Sequence, residues 1–365
     1  MNVLVVNTGS STLKLRLLSA DDEVLATHEV DPWTGDGSLP DEAVAALDEM
    51  VARAGAVGHR VVHGGPDFTS ATVVDATVLA HLEGLAPLAP LHQPRAVAAI
   101  RAVAAARPDL PAVACFDTAF HATLSPAAST YALPREWLRR WDLRRYGFHG
   151  LSHQYAARRA AQLVGRPLSS LRTVTCHLGA GASLCAVRAG HSVDTTMGFT
   201  PTEGLVMATR CGSVDPGLVM WLVNQAGLGP AEVAEALDRR SGLAGLSGGT
   251  GDFRELMGTM TAGEDAARLA FDVYVHRLRR EIAAMTATLG GLDVLVFSGG
   301  VGEHVPIVRA TAARPLGFLG VAIDGTRNGA TTTDGDISAE GATVRTVVVT
   351  AREDIEIARQ VRRAL

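Results

Sequence analysis

The chain has 365 residues, of which 47% are hydrophobic and 19% charged, with a formal net charge of -5 and a pI near 6.2. This length predicts two domains, and the apolar content excludes an intrinsically disordered chain. The mildly acidic balance argues against a nucleic-acid-binding protein, which usually presents a basic face. The sequence shows no basic leader, no bilayer-length apolar run and no CxxC spacing among its four cysteines. We therefore expect a cytoplasmic protein with reduced thiols and no membrane contact.

The start of the chain has the pattern of a hairpin with a polar tip. Residues 3–6 form a buried-strand pattern, residues 7–12 are turn formers and hydroxyl residues, and residues 13–17 alternate apolar and basic side chains. Such a tip exposes backbone N–H groups that can hold an anion. Many hairpins have polar tips without any ligand, so this stretch alone identifies no site.

Two further strand patterns carry charged residues. Residues 57–65 read as a strand that two glycines close and that includes Arg60. This arginine must meet an anion or a carboxylate if it is buried, or else reach solvent from an edge strand. Residues 111–117 form a strand pattern that ends in Asp117. An acid at the carboxyl end of a strand lies where α/β proteins place their chemistry, although it can also cap the next segment.

The hairpin pattern recurs in the second half of the chain. Residues 173–187 again read as strand, small-residue turn and strand, with the turn at residues 179–181. Residues 294–303 predict a strand and a glycine-rich turn, followed by a helix that begins near Val305. Two hairpins in corresponding places and a third glycine-rich turn predict two similar halves that bind one nucleotide.

Two polar segments are predicted to lie at the surface. The basic run at residues 137–145 has the composition of a solvated helix face, and residues 194–205 read as an irregular surface loop.

Six segments, taken in this order, resemble the acetate kinase family: residues 7–14, 58–65, 116–121, 146–150, 197–201 and 209–212. That family belongs to the superfamily of acetate and sugar kinases, actin and heat-shock chaperone ATPases. The resemblance implies an α/β fold with two actin-like, ribonuclease H-like domains, each a mixed sheet flanked by helices. We expect an N-terminal domain at residues 1–121 and a C-terminal domain with the nucleotide site at residues 122–353. The last helix, residues 354–365, is expected to pack back on the first domain.

The resemblance also implies which residues act on the reacting groups. Five residues are assigned to catalysis: Arg60, Asp117, His149, His177 and Arg210. In this assignment the arginines hold the acyl carboxylate and the migrating phosphoryl group, and His177 stabilises the transition state. Three side chains are placed around Mg²⁺, with Mn²⁺ as the alternative ion: Asn7, Asp117 and Glu353. The acid is bound by Arg60 and by a small methyl pocket of four residues: Val62, Leu91, Phe148 and Pro201.

The implied nucleotide site is larger and is drawn from several turns. Its residues are Lys14, His177, Gly179, Ala180, Gly181, Asp252, Phe253, Arg254, Gly300, Val301, Gly302, Glu303 and His304. Three positions depart from the usual family pattern, because Thr12 stands in place of Ser, Ala180 in place of Asn, and His304 in place of Asn. Loss of the amide at Ala180 predicts weaker nucleotide binding, while the backbone N–H groups of the turn remain.

The implied reaction is the reversible, Mg²⁺-dependent, in-line transfer of a phosphoryl group from ATP to acetate, which gives ADP and acetyl phosphate. A homodimer is implied as well. Three alternatives stay open: propionate or another short-chain acid as the acceptor, pyrophosphate as the donor, and a nucleotide-binding or scaffolding relative with weak catalysis.

Overall fold

The computed structural model describes residues 1–9, 12–31, 33, 41–90 and 92–365. The strands are β1 (Val3–Thr8), β2 (Leu13–Leu18), β3 (Val24–Val30), β4 (Ala56–Val61), β5 (Thr72–Val73), β6 (Ala112–Phe116), β7 (Arg172–Leu178), β8 (Ala182–Arg188), β9 (His191–Thr195), β10 (Val294–Ser298), β11 (Gly335–Asp336) and β12 (Arg345–Val348). The helices are α1 (Asp41–Arg53), α2 (Ala76–Gly84), α3 (Gln93–Ala106), α4 (Pro126–Ser129), α5 (Arg135–Trp141), α6 (Gly150–Leu163), α7 (Pro216–Asn224), α8 (Pro230–Arg239), α9 (Gly242–Ser247), α10 (Phe253–Thr261), α11 (Asp265–Leu289), α12 (Gly299–His304), α13 (Pro306–Ala313), α14 (Gly325–Ala330) and α15 (Glu353–Ala364). In the part of the chain that is described, no helix combines the length and the apolar content that crossing a membrane requires.

Within the described residues the strands form two mixed, six-stranded sheets that share one topology. The first has the order β3-β2-β1-β4-β6-β5, and the second, read from its β9 edge, has the order β9-β8-β7-β10-β12-β11. In each sheet the leading strand, β1 or β7, is antiparallel to its hairpin partner and parallel to the strand on its other side. The predicted duplication of a mixed sheet is confirmed, and so are the two hairpins.

Chain contacts divide the molecule into two compact units, of which the first comprises Met1–Ala122, Phe148–Tyr155 and Arg352–Leu365. Alternate residues of β1 point to opposite faces of the first sheet. Leu4 and Val6 pack in a core with α1 and α3, whereas Val3 and Val5 pack with α15.

Gly58 lets α15 approach this sheet closely. A Cβ at Gly58 would overlap the side chains of Ile357 and Val361 on α15. The close fit holds α15, and with it Glu353 at its first turn, against β4.

The second unit comprises Thr123–Gly147 and Ala156–Ala351. Its sheet packs against the long helix α11, and β10 is buried along its whole length. The predicted turn after β10 was wrong, because the chain is helical from Gly299 onward and α13 follows at Pro306. Gly299 has φ +77°, a conformation that favours glycine, and this lets the strand turn directly into α12.

Arg309 supports the short helix α12 from its carboxyl end. Its Nη1 donates to the carbonyls of Gly302 at 2.9 Å and Glu303 at 2.7 Å, which would otherwise lack partners at a helix end. The Arg309 side chain is fully buried, and burial lowers the pKa of Arg309 to about 10.

Both surface predictions were wrong in part. Helix α5 ends at Trp141, so Arg145 lies beyond it, with only 18% of its side chain exposed. In the segment after β9, Met197 is fully buried and Gly198 is buried with it. Long-range hydrogen bonds, which local composition does not reveal, draw both segments inward.

Candidate active site

Arg60 is the centre of a charged cluster at one edge of the first sheet. Strand β4 lies between β1 and β6, which brings Asn7 of β1 and Asp117, directly after β6, beside Arg60. The guanidinium forms a two-pronged pair with Asp117, with Nε–Oδ1 at 3.2 Å and Nη2–Oδ2 at 2.6 Å. Nη1 donates to Asn7 Oδ1 at 3.2 Å. The edge-strand alternative for Arg60 is therefore wrong.

Glu353 completes this cluster from the first turn of α15. Its Oε2 lies 3.7 Å from Arg60 Nε and accepts a hydrogen bond from Asn7 Nδ2 at 3.3 Å. Burial acts to lower the pKa of Arg60, but the charges of Asp117 and Glu353 outweigh it and hold that pKa above its ordinary value. Burial raises the pKa of Asp117 while Arg60 opposes the rise. Arg60 is thus a permanent cation beside two acids.

The cluster has the oxygen donors that fit Mg²⁺. Asn7, Asp117 and Glu353 offer one amide and two carboxylate groups, and Mg²⁺ commonly takes one or two protein carboxylates together with substrate phosphates. Among the described residues, no group of three or more His, Cys, Asp or Glu side chains stands ready to hold a metal alone.

The segment that carries Phe148 and His149 is held against Asp117 by its backbone. Gly150 N–H donates to the Asp117 carbonyl at 2.9 Å, and a Cβ at Gly150 would overlap that carbonyl. His121 Nε2 lies 3.0 Å from the Phe148 carbonyl. His149 has φ +56°, a conformation that costs a non-glycine residue free energy and that often occurs at functional sites.

The acid-binding residues predicted in this first unit are partly described. Val62 and Phe148 are buried, with 8% and 1% of their surfaces exposed, and the Phe148 ring lies 5.4 Å from that of His63. Leu91 lies outside the described residues. The remaining pocket residue, Pro201, belongs to the second unit.

In the second unit, Arg210 is held by a carboxylate that the sequence did not single out. Its Nε donates to Asp238 Oδ1 at 3.2 Å, and its Nη1 donates to the Pro201 carbonyl at 3.4 Å. Thr202 Oγ1 donates to the same Asp238 oxygen at 3.2 Å. Asp238 thus fixes both Arg210 and the segment that carries Pro201.

The predicted nucleotide turns meet at the carboxyl ends of β7 and β10, since His177 pairs in register with Ser298. Ala208 N–H donates to the Ala180 carbonyl at 3.1 Å, which connects the hairpin turn to the segment before Arg210. A Cβ at Gly251 would overlap the Ala208 carbonyl, so the loop before α10 also lies close by. The turn residues Gly179 and Gly181, the helix residues Gly300, Val301 and His304, and the α10 residues therefore belong to one region of the second unit.

Some side chains assigned to the nucleotide are engaged elsewhere. Glu303 Oε1 accepts from the N–H groups of Gly299 and Ala351, both at 2.9 Å. Phe253 is buried, and its ring centre lies 5.0 Å from that of Tyr274. Lys14 pairs with Glu29 at 3.0 Å. These three side chains therefore make contacts within the chain in the structure.

The residues at the start of α10 that were assigned to the nucleotide also make contacts within the chain. Asp252 caps α10 by accepting from the N–H groups of Arg254 and Glu255, whereas the Arg254 side chain is 91% exposed. Both charged side chains of this assignment reach solvent, Asp252 at 43% exposure and Arg254 at 91%.

Comparison with known proteins agrees with this geometry. The sequence profile of the Acetokinase family matches residues 38–359. An acetate kinase from Leifsonia xyli subsp. xyli is 46% identical over 394 aligned positions, which cover 100% of this chain and 98% of that protein.

Solved structures give the same result. The structure of Porphyromonas gingivalis acetate kinase matches with a TM-score of 0.92 and 34% identity over 100% of this chain and 99% of that one. A propionate kinase from Francisella tularensis subsp. tularensis matches with a TM-score of 0.89 and 32% identity over 98% of both chains. These similarities show that the chain belongs to the acetokinase family and is a phosphotransferase with a carboxyl group as acceptor.

Proposed function

We propose that the protein transfers the γ-phosphoryl group of ATP to acetate, directly and reversibly, and gives acetyl phosphate and ADP. The observation that carries this proposal is the Arg60 cluster, which sets a permanent cation beside an amide and two carboxylates at the edge of a sheet. A guanidinium matches the planar geometry of a carboxylate or a phosphoryl group, and the oxygen donors beside it suit Mg²⁺.

The chemistry we propose needs positioning and charge neutralisation more than covalent help. Arg60 and Arg210 are each held by a carboxylate, so each guanidinium is oriented in advance. Preorganised donors of this kind stabilise charge that develops on phosphoryl oxygens in the transition state. We assign His149 and His177 as further donors to that group. Mg²⁺, held by Asn7, Asp117 and Glu353, would neutralise phosphate charge when bound.

Acetate is the acid we propose, with propionate as the second candidate. Val62 and Phe148 are buried apolar residues, as a pocket for a short alkyl group requires, and Leu91 and Pro201 are proposed to complete the pocket. The similarity to a propionate kinase favours propionate as the alternative acceptor. ATP is the proposed donor, with pyrophosphate as the alternative.

We also propose that the protein is a cytoplasmic homodimer. Cys115, Cys176 and Cys185 are buried free thiols, in keeping with a reducing compartment. Helix α7 has the sequence PGLVMWLVN and buries none of its residues, which is expected of a helix that a second copy covers.

The test is a hydroxamate assay for acetyl phosphate with the parent and two arginine variants. Arg210→Ala removes the cation, and Arg60→Lys keeps the charge beside buried Asp117 but loses the two-pronged geometry. We expect turnover to fall by about 10²- to 10³-fold in Arg210→Ala, since lost transition-state contacts of this kind have effects of that size. Arg60→Lys should also lose most of its turnover.

Arg101→Ala is the matched control, because Arg101 forms an exposed ion pair with Glu83 away from these clusters. It should retain parental turnover, and thermal unfolding should show that all variants are folded. A parent that binds ATP but forms no acyl phosphate from any short acid would instead establish a non-catalytic relative. Near-normal turnover in Arg210→Ala would show that the assigned site is wrong.

A further inference from the structure

Three polar side chains form a compact network inside the second unit that the assigned catalytic machinery does not use. In this Tyr131 cluster, defined as Tyr131, Arg145 and Glu203, the Tyr131 hydroxyl donates to Glu203 Oε2 at 2.5 Å. Arg145 Nη2 donates to the other carboxylate oxygen at 2.7 Å. Burial and the hydrogen bond to Glu203 raise the pKa of Tyr131, so the hydroxyl stays a neutral donor. Each carboxylate oxygen therefore has a donor of its own.

The Tyr131 cluster holds the backbone of the segment at residues 196–201. Arg145 Nη1 donates to the carbonyls of Thr196 at 3.2 Å and Met197 at 2.9 Å. The N–H of Phe199 donates to Tyr131 Oη at 2.8 Å. Tyr131 thus links the segment to Glu203, because its oxygen accepts a hydrogen bond from the segment while its hydroxyl group donates one to Glu203.

Gly198 shows how closely the segment and the cluster fit. Its carbonyl accepts from the N–H groups of Tyr146 at 3.1 Å and Gly147 at 3.3 Å. A Cβ at Gly198 would overlap both Tyr131 Oη and Glu203 Oε2. The segment therefore has one position that satisfies the cluster and no room for a side chain at its centre.

The position of the segment at residues 196–201 matters because of the residues that follow it. It leads to Pro201, the proposed wall of the methyl pocket, whose carbonyl accepts from Arg210 Nη1 at 3.4 Å. Thr202 then donates to Asp238, the carboxylate that also holds Arg210. A displacement of the segment would thus move a pocket wall and a contact of the proposed acid-binding arginine together.

We propose that Tyr131, supported by Arg145 and Glu203, is a positioning residue that sets the affinity and chain-length selectivity for the carboxylic acid. This inference rests on the proposed function, because it assigns Pro201 and Arg210 to the acid. Tyr131 itself acts through the backbone of Phe199 and the segment that follows it.

The test is Tyr131→Phe, which removes one oxygen and keeps the ring. We expect the KM for acetate to rise roughly 2- to 10-fold, in line with the loss of one or two hydrogen bonds, while the KM for ATP stays unchanged and kcat changes less. The ratio of kcat/KM for propionate to that for acetate should increase, because a less constrained Pro201 segment can yield to a longer acid. Hydrogen exchange of the Phe199 amide, followed by mass spectrometry of a peptide over residues 196–203, should become faster.

Tyr274→Phe is the matched control. Tyr274 is a buried tyrosine of the same unit whose hydroxyl has no hydrogen-bond partner among the described residues. Its removal should change neither the acid ratio nor exchange in this peptide. A second variant, Gly198→Ala, should displace the segment directly and shift the acid ratio. Gly329→Ala should not, because a Cβ there would lie within 4 Å of no described atom beyond its chain neighbours and the backbone of its own helix.

The outcomes separate this inference from the proposed function. An active parent whose acid KM and acid ratio are the same in Tyr131→Phe and Gly198→Ala would overturn the role of the Tyr131 cluster and leave the function in place. Equal rises in the KM for acid and for ATP would indicate general loosening and would also overturn it. A parent that phosphorylates no carboxylic acid would overturn both.

Discussion

Ala180 is the residue at which the nucleotide turn departs from the family pattern, and its surroundings explain why the turn can survive the change. The residue is exposed, its carbonyl accepts from Ala208 N–H, and Gly179 N–H donates to the Gly181 carbonyl at 3.0 Å. These backbone contacts do not involve the side chain at position 180. The missing amide therefore removes a hydrogen-bond donor from the turn and leaves the shape of the turn unchanged.

Ala180→Asn should accordingly tighten ATP binding by about 10- to 100-fold, because a hydrogen bond to a charged partner is worth roughly 1.5–3 kcal/mol. The measurement is an ATP titration by calorimetry, with turnover at saturating acetate beside it. Ala330→Asn, at an exposed position at the end of α14, is the control and should leave the affinity unchanged. Unchanged or weaker affinity in Ala180→Asn, with no gain in rate, would contradict this account.

Sequence motifs identified some of the charged residues of the site and missed their partners. Arg60 and Asp117 stand in short recognisable segments, whereas Glu353 follows only from the role that the family resemblance implies, and the structure brings these three together. Asp238 lies 28 residues beyond Arg210 on α8, and nothing in its surroundings marks it as a partner. Residues that orient a charged group through the tertiary fold leave no local signal in a single sequence.

Helix α7 is the element whose sequence and exposure disagree most. A nine-residue helix with no charged side chain would ordinarily be buried, yet Leu218, Met220 and Trp221 are each at least half exposed. Val214, just before the helix, is 39% exposed. In the proposed dimer, a second copy of the chain would cover this patch and remove its apolar surface from water. Such burial is favourable by about 25 cal/mol for each Å² of apolar surface.

Trp221→Glu should therefore convert the proposed dimer into a monomer without unfolding the chain, since it places a charge in the apolar patch. Light scattering coupled to size-exclusion chromatography at micromolar concentration measures the mass directly. Phe318→Glu is the control, because Phe318 is 78% exposed but lies outside α7. A monomeric parent, or a dimer that persists in Trp221→Glu, would show that α7 is not a dimer interface.

Elements with local periodicity were predictable, and elements set by distant contacts were not. The two hairpins follow from the alternation of their strand residues and from the small and polar residues of their turns. The polar residues of the segment after β9 predict a surface loop at residues 194–205. Its burial depends on Tyr131, 68 residues before Phe199, so the determining contact lies outside any local window.

At the scale of the whole molecule, duplication was the strongest feature of the sequence. The recurrence of strand, turn and strand predicted two similar sheets, and the two sheets share both strand order and strand directions. The family resemblance predicts that the last helix packs back on the first domain, but the sequence does not show that α15 contacts β1 and β4 in particular. Gly58 permits that packing, and a lone glycine in a strand has several possible causes.

The burial of histidine in this fold makes the stability of the whole molecule depend on pH. His59 lies on β4, is 1% exposed, and has no hydrogen-bond partner on either ring nitrogen among the described residues. Burial lowers the pKa of His59 to about 3, against an ordinary value of 6.5. Since the unfolded chain binds a proton near pH 6.5 and the folded chain does not, the neutral ring stabilises the fold fully above pH 6.5. That contribution is lost as the pH falls from 6.5 towards 3.

Replacement of His59 by an apolar residue should therefore flatten the dependence of stability on pH. We expect the free energy of unfolding of the parent to fall between pH 6.5 and pH 5, with His59 accounting for about 2 kcal/mol of the loss, since one pH unit corresponds to about 1.4 kcal/mol for one proton. In His59→Leu, the free energy of unfolding should fall less over this pH range than in the parent, whatever the stability of the variant at pH 7. Urea unfolding at several pH values measures it, and His191→Leu, which removes an exposed ring, is the control. Parallel curves for the parent and His59→Leu would show that His59 does not remain neutral in the folded chain.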